Sequence, residues 1–162
     1  TRHGARRMLG VLAAADVEFV EQPLAAGDLE GHAELRRHST VPIVADESVH
    51  HRDDVPHLAE AFDAVNLKLA KLGGPLQALA ALRTARALGM GVMLGCMIES
   101  SLGISAAVHL AGLADWVDLD GALLLAEDPF SGLAWTAGTV ERPTGAGWGV
   151  VEVVQDTAGS PA

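Results

Sequence analysis

Four apolar, strand-like runs in this chain each close on a charged residue, and the interval between those charges is nearly constant. The runs are VEFVEQP, closing at Glu21, VPIVADES at Asp46, DAVNLKLAK at Lys68 and ADWVDLDG at Asp118. The steps between them are 25, 22 and 50 residues, and the last is two steps of 25. The skipped position falls at GVMLGC, residues 91–96, another short apolar run. One strand, one helix and two short loops occupy an interval of this size. A repeating βα unit that is charged only at the strand exit describes a (β/α) barrel, whose C-terminal strand ends carry the chemistry. Two carboxylates and a lysine on one rim point to a metal and a proton-transfer base.

Between these runs the pattern is helical. Residues 3–15 place Met8, Leu9, Val11 and Leu12 on an apolar side. Strands are expected at Val17–Glu21, Val41–Asp46, Ala64–Leu69, Val92–Leu94 and Asp115–Asp118, and helices at Leu29–His38, Asp53–Phe62, Leu76–Leu88 and Ser101–Leu113. Gln22-Pro23 stops the first strand, Ser48 is a candidate cap, and Pro75 can open the long helix. Strict alternation of α and β implies a parallel sheet with right-handed crossovers. From Gly121 the rhythm gives way to Gly, Pro and Trp punctuation, and QDTAGSPA, from about residue 155, reads as a disordered end.

Composition removes several function classes. The 162 residues suffice for one domain with a real core, but a complete (β/α)8 barrel takes about 250 residues. A net charge of −10 argues against binding nucleic acid or an anionic membrane through charge. No apolar stretch approaches the ~20 residues of a membrane span. The segment TRHGARRMLGVLAAAD lacks a clean apolar core and runs straight into a strand, so it reads as a helix, not a targeting signal. One cysteine, Cys96, rules out an internal disulfide and fits a reducing compartment. A cytoplasmic enzyme is the expectation.

A lone charged residue at a strand end is more often a solvated terminus than a ligand, but here several coincide at matching strand ends. Glu21 and Asp46, from adjacent strands, would converge over the barrel mouth as hard oxygen ligands. Lys68, partly desolvated and near a cation, would have a lowered pKa suited to a general base. Lys71, three residues on and beside Gly73-Gly74, is expected to be a surface or loop residue. Asp118 and Asp120 flank Leu119 and would face one way in an extended segment. Cys96 has no histidine placed near it and reads as a small wall residue. His50 and His51 read as loop residues, and His109 as packed within an apolar helix.

VEFVEQPL, VPIVADESV, VNLKLAKLGG, GCMIES and VDLDGALLL, in this order, resemble the muconate-lactonizing subgroup of the enolase superfamily, and within it the dipeptide epimerases of L-Ala-D/L-Glu type. The resemblance runs from about residue 1 to about residue 150. It implies that Glu21 and Asp46 are the second and third Mg²⁺ ligands and that Lys68 is an acid/base lysine. It implies that Asp118 and Asp120 bind the α-ammonium group of a dipeptide, and that Cys96, Met97 and Ile98 line the substrate pocket. The implied chemistry is removal and return of a proton α to a carboxylate through an enediolate. It further implies that residues 1–125 are barrel strands 4 to 8 and that 126–162 pack on a capping domain. The first metal ligand and a partner lysine would then lie upstream, so the isolated chain is expected to be an inactive part of a homo-oligomeric enzyme. Two other readings stay open: another enzyme of the subgroup (muconate cycloisomerase, o-succinylbenzoate synthase or N-acylamino acid racemase), and a non-catalytic α/β module.

Overall fold

Edge-to-edge contact across a five-stranded sheet is the feature that fixes this architecture. The computed structural model describes residues 1–154. Its strands β1 (Val20–Glu21), β2 (Ile43–Ala45), β3 (Ala64–Lys68), β4 (Gly91–Gly95) and β5 (Trp116–Val117) lie in chain order, every neighbouring pair parallel. A flat sheet would hold its edge strands ~19 Å apart, at about 4.8 Å per strand. Instead Phe19, leading into β1, and Trp116 of β5 bring their ring centroids to 5.1 Å. The Trp116 indole N–H also donates to Glu18 at 2.5 Å. The sheet is therefore curled into a half-barrel, α/β in class, as the spacing of the charged runs requires.

The helices follow from local chemistry and supply the crossovers. Thr1 caps α1 (Arg2–Ala14) and Asp28 caps α2 (Leu29–His38), each accepting a backbone N–H. A single turn, α4 (Leu69–Leu72), follows β3 directly and ends at Gly73, whose φ of 86° is the left-handed conformation that glycine tolerates. Pro75 then opens α5 (Pro75–Ala87). The convex side of the sheet (Ile43, Ala45, Val65, Leu67, Val92, Leu94) is buried with Leu35, Leu58, Leu82 and Ile104 from the helices in one apolar cluster. The concave side carries a separate small cluster of Val44, Ala64 and Met93 with Phe19 and Trp116.

Two expected helices are shorter than their patterns. The 53–62 segment is a 3₁₀ turn at Arg52–Asp54 followed by α3 (Val55–Leu58). The chain leaves the helix there because Phe62 must be buried against His32, at 4.4 Å, and Asp63 must accept from Ile43 N at 2.9 Å. α6 (Ser101–Val108) likewise stops early, since Leu110 N bonds back to Ala107 O and a 3₁₀ turn follows at Ala111–Leu113. His109 thus caps α6 and meets Trp148 edge-on at 5.4 Å, instead of lying inside a helix.

Beyond Gly121 the chain forms two antiparallel pairs, β6 (Phe130–Ser131) with β9 (Val151–Glu152), and β7 (Trp135–Thr136) with β8 (Thr139–Val140). They lie on α6. Asp128 accepts from Ser101 N at 2.8 Å, Ser105 Oγ donates to the Trp148 carbonyl, and Leu133, Trp135 and Val140 join the main core. The end expected to be disordered lies outside the described residues. Among the described residues no helix is long and apolar enough to cross a membrane.

Asp115 joins α5 to the sheet, accepting from Arg86 at 2.6 and 3.0 Å and from Val92 N at 2.8 Å. The Arg86 hydrogen bonds, opposed by burial, hold its carboxyl below the usual range. A lowered native pKa gives stability that is present above about pH 4, the ordinary Asp value, and is lost as pH falls through the native one. Asp115→Asn is expected to cost about 0.5–1 kcal/mol at pH 7, a surface-pair magnitude, and the cost should shrink as pH is lowered from about 4 toward 2, as the wild-type carboxyl takes up its proton. Thermal unfolding of both proteins across this pH range checks this.

Candidate active site

Side chains alternate faces along a strand, and here that alternation writes a polar rim above an apolar floor. On the concave side Phe19 is followed by Glu21, Val44 by Asp46, Ala64 by Asn66 and Lys68, Met93 by Gly95, and Trp116 by Asp118. Each sequence-predicted strand-end residue therefore reaches the same mouth.

Asp46 is the centre of that mouth. Only 8% exposed, it binds Lys68 Nζ through Oδ2 at 2.7 Å and Lys71 Nζ through Oδ1 at 2.8 Å. Lys71 also donates to the Asp46 backbone carbonyl at 2.6 Å. Burial pushes the Asp46 pKa up, but the two lysine hydrogen bonds and charges outweigh it and the carboxyl lies below its ordinary value. Burial pushes Lys68 down, yet the hydrogen bond and charge of Asp46 prevail and its pKa is raised. The expectation of a lowered lysine pKa is thus corrected: desolvation is present but loses to the carboxylate. Glu21 accepts from Asn66 Nδ2 at 2.5 Å. Its own pKa is raised by burial and by Asp46 against the lowering effect of that hydrogen bond.

Lys68, Cys96, Met97, Ile98, Asp118 and Asp120 line one open hollow of about 240 Å³, closed by Gly121 and Leu124. Asp118 and Asp120 are exposed and Leu119 between them is buried, so both carboxylates face the hollow side. Cys96 accepts from Gly121 N at 3.3 Å. Burial and the neighbouring Asp118, Asp120 and Glu99 charges raise its thiol pKa, which keeps it protonated and suits a wall residue. Glu21 and Asp46 lie outside this hollow, and Lys68 joins the two groups.

A family described as Enolase C-terminal domain-like matches residues 1–155. The chain belongs to that family. An L-Ala-D/L-amino acid epimerase of Flavobacterium johnsoniae is 46% identical over 134 residues, 83% of this chain and 40% of the relative. The substrate-liganded L-Ala-D/L-Glu epimerase of Bacillus subtilis superimposes with a TM-score of 0.88 at 31% identity, covering 95% of this chain and 45% of that one. A dipeptide epimerase of Cytophaga hutchinsonii, solved with Mg and the dipeptide D-Ala-L-Val, gives 0.88 at 30% identity over 98% and 44%. The chain thus spans less than half the length of each of these proteins.

The Cytophaga hutchinsonii neighbour holds Mg, and hard oxygen donors are what such an ion would need here. Among the described residues no group of three or more His, Cys, Asp or Glu side chains forms a metal site. Two carboxylates near enough to perturb one another are nevertheless present, and hard oxygens are what Mg²⁺ takes, usually few of them from protein. Asn66, 2% exposed, adds an Oδ1 that is buried without a partner. The donor set fits part of a Mg²⁺ site.

Three site residues escaped the sequence reading. Lys71 is a half-buried partner of Asp46, not a loop residue, because helix α4 starts at Leu69 and one turn folds residue 71 back over the strand exit. Asn66 is hidden inside an apolar run and carries no sequence signal. Ser48 caps no helix: its Oγ accepts from Gln22 Nε2 at 2.9 Å, and His51 caps the following turn. Gly95 is the small residue under Asn66, and a Cβ there would collide with the carboxamide. Gly95→Ala is expected to cost about 1–3 kcal/mol through overpacking, read from the urea midpoint. Asn66→Ala in the same background should recover part of it, a non-additivity that a double-mutant cycle measures.

Proposed function

We propose that this chain is the cation-binding and proton-transferring part of a Mg²⁺-dependent dipeptide epimerase. The observation that carries the reading is the place of Lys68, which reaches Asp46 at 2.7 Å and also lines the hollow shared with Asp118 and Asp120. Relatives named as epimerases of L-Ala-D/L-amino acids support the reaction class, and the Cytophaga hutchinsonii neighbour with Mg and a dipeptide supports the cofactor.

In this reading Asp118 and Asp120 attract the free ammonium group of the substrate, and Met97, Ile98 and Leu124 form an apolar wall beside it. Glu21 and Asp46 hold Mg²⁺, which supplies positive charge for the substrate carboxylate when bound. Lys68 moves the proton at the α-carbon. As an ammonium held by Asp46 it is the proton donor; to act as base it must leave that carboxylate. Residues 126–154 contact a capping domain, and the complete enzyme is a cytoplasmic homo-oligomer whose partner is a small molecule, with no role for nucleic acid or membrane.

Inversion needs a proton group on each face of the carbon. The sequence holds two lysines, and Lys71 is bound twice to Asp46. The 162 residues alone therefore bind without inverting. NMR titration of the chain in Mg²⁺ should show L-Ala-L-Glu binding about tenfold more tightly than its N-acetyl derivative, one charge-assisted contact's worth. Asp118→Asn with Asp120→Asn should erase the difference. Equal affinity of the wild type for both ligands would sink the dipeptide reading, and inversion of the α-carbon seen by chiral chromatography would sink the claim of inactivity.

A further inference from the structure

We propose that Gln22 is a positioning residue that sets the spacing of the Glu21 and Asp46 carboxylates by clamping the exits of β1 and β2. The inference rests on the reading of those carboxylates as a cation site. The β1–β2 ladder pairs Val20 with Ile43 and Glu21 with Val44, and β2 ends at Ala45. Asp46 therefore lies one step beyond the paired backbone, and something else must hold it.

The Gln22 carboxamide does so. Its Oε1 accepts from Asp46 N at 2.9 Å and from Ser48 N at 3.3 Å, and its Nε2 donates one proton to Ser48 Oγ at 2.9 Å and shares the other between the Leu24 carbonyl at 3.4 Å and the His32 ring. The same Nε2 lies 3.3 Å from His32 Nε2. His32 is fully buried against Phe62, and burial pushes its pKa down, so the ring is neutral. Its Nδ1 sits 2.9 Å from the Asp28 carbonyl, which places the ring proton there and leaves Nε2 to accept from Gln22 and from Leu24 N. The amide is thus fixed from α2 on one side while it fixes the Asp46 backbone on the other. A glutamate would lack the donors and an asparagine is one methylene shorter.

The backbone gives a second, independent sign. Gln22 has φ 40°, while its own N–H continues the ladder to Val44 O at 2.9 Å. Non-glycine residues rarely adopt that conformation, and it persists where the surroundings over-determine it. The turn aims the side chain across to β2 immediately after Glu21, whose carboxylate Asn66 holds. Each cation-facing carboxylate then has a separate restraint: Asn66 for Glu21, the two lysines for Asp46, and Gln22 for the distance between them.

Gln22→Gly separates positioning from folding, because glycine keeps the left-handed turn without strain and deletes only the amide. The probe is Mn²⁺ titrated into the 162-residue chain, with free Mn²⁺ read by electron paramagnetic resonance. Asp46→Asn defines loss of the site. Gln22→Gly is expected to unfold within about 4 °C of the wild type, yet to bind Mn²⁺ about 10-fold or more weakly, the usual effect of removing a group that orients a ligand. A purely structural role would lower the unfolding temperature and leave affinity unchanged. Mn²⁺ affinity within about twofold of wild type, below the range for an orienting group, would overturn the inference. If Gln22→Gly does not fold, Ser48→Ala, which removes one partner of the amide, must weaken Mn²⁺ binding; unaltered affinity there overturns it equally. A wild type whose Mn²⁺ binding survives Asp46→Asn, or is absent, overturns the cation-site reading itself and the clamp with it.

Discussion

A carboxylate buried at the end of a strand must be neutralised, and the arrangement of this mouth follows from how Asp46 meets that demand. An unpaired buried charge costs several kcal/mol, and Asp46 is 8% exposed. Two lysines meet it from one side of β3, one on the strand exit and one on the first helical turn beyond. The Lys68 charge in turn favours a second carboxylate, Glu21, nearby. The Asn66 hydrogen bond favours its charged form, while burial and Asp46 work against it. The charges are mutually dependent, so a change at any one is felt at the others.

Curling of the sheet is the mechanical counterpart. Phe19 and Trp116 meet across the concave side and make an apolar floor with Val44, Ala64 and Met93. Because strand side chains alternate, every residue two positions beyond this floor is delivered to the rim. The floor fixes how far the strand exits can spread, and so fixes the distances among Glu21, Asp46, Lys68 and Asp118.

The charged strand exits were legible because parallel strands buried on both faces read as apolar runs that break where water or a ligand begins. Glu21, Asp46, Lys68 and Asp118 are that break, and four of the five strands follow from it, with β4 filling the skipped interval. Lys71 was illegible because its place depends on a one-turn helix whose start at Leu69 continues the apolar pattern of β3 without a signal. Asn66 was illegible for the opposite reason: one polar residue inside an apolar run resembles a tolerated exception, and only the register beside Gly95 shows what it touches. The 53–62 helix failed because a tertiary demand, burial of Phe62, overrode local helix preference. Gln22 was visible as a strand stop beside Pro23, but its turn and its five polar contacts arise from the fold.

β3 is the middle strand, and its place explains why the acid/base candidate lies on it. The carboxylate pair stands at the exits of β1 and β2, and the Asp118–Asp120 pair beyond β5. An ion held by the first pair and an ammonium held by the second would anchor opposite ends of one small molecule. A lysine at either edge could attend only one end. From β3, Lys68 already touches Asp46 and lines the hollow with Asp118 and Asp120, so a bond between the two anchored ends falls within its reach. Positioning of this kind is where proximity contributes most to a proton transfer, and here it comes from strand order.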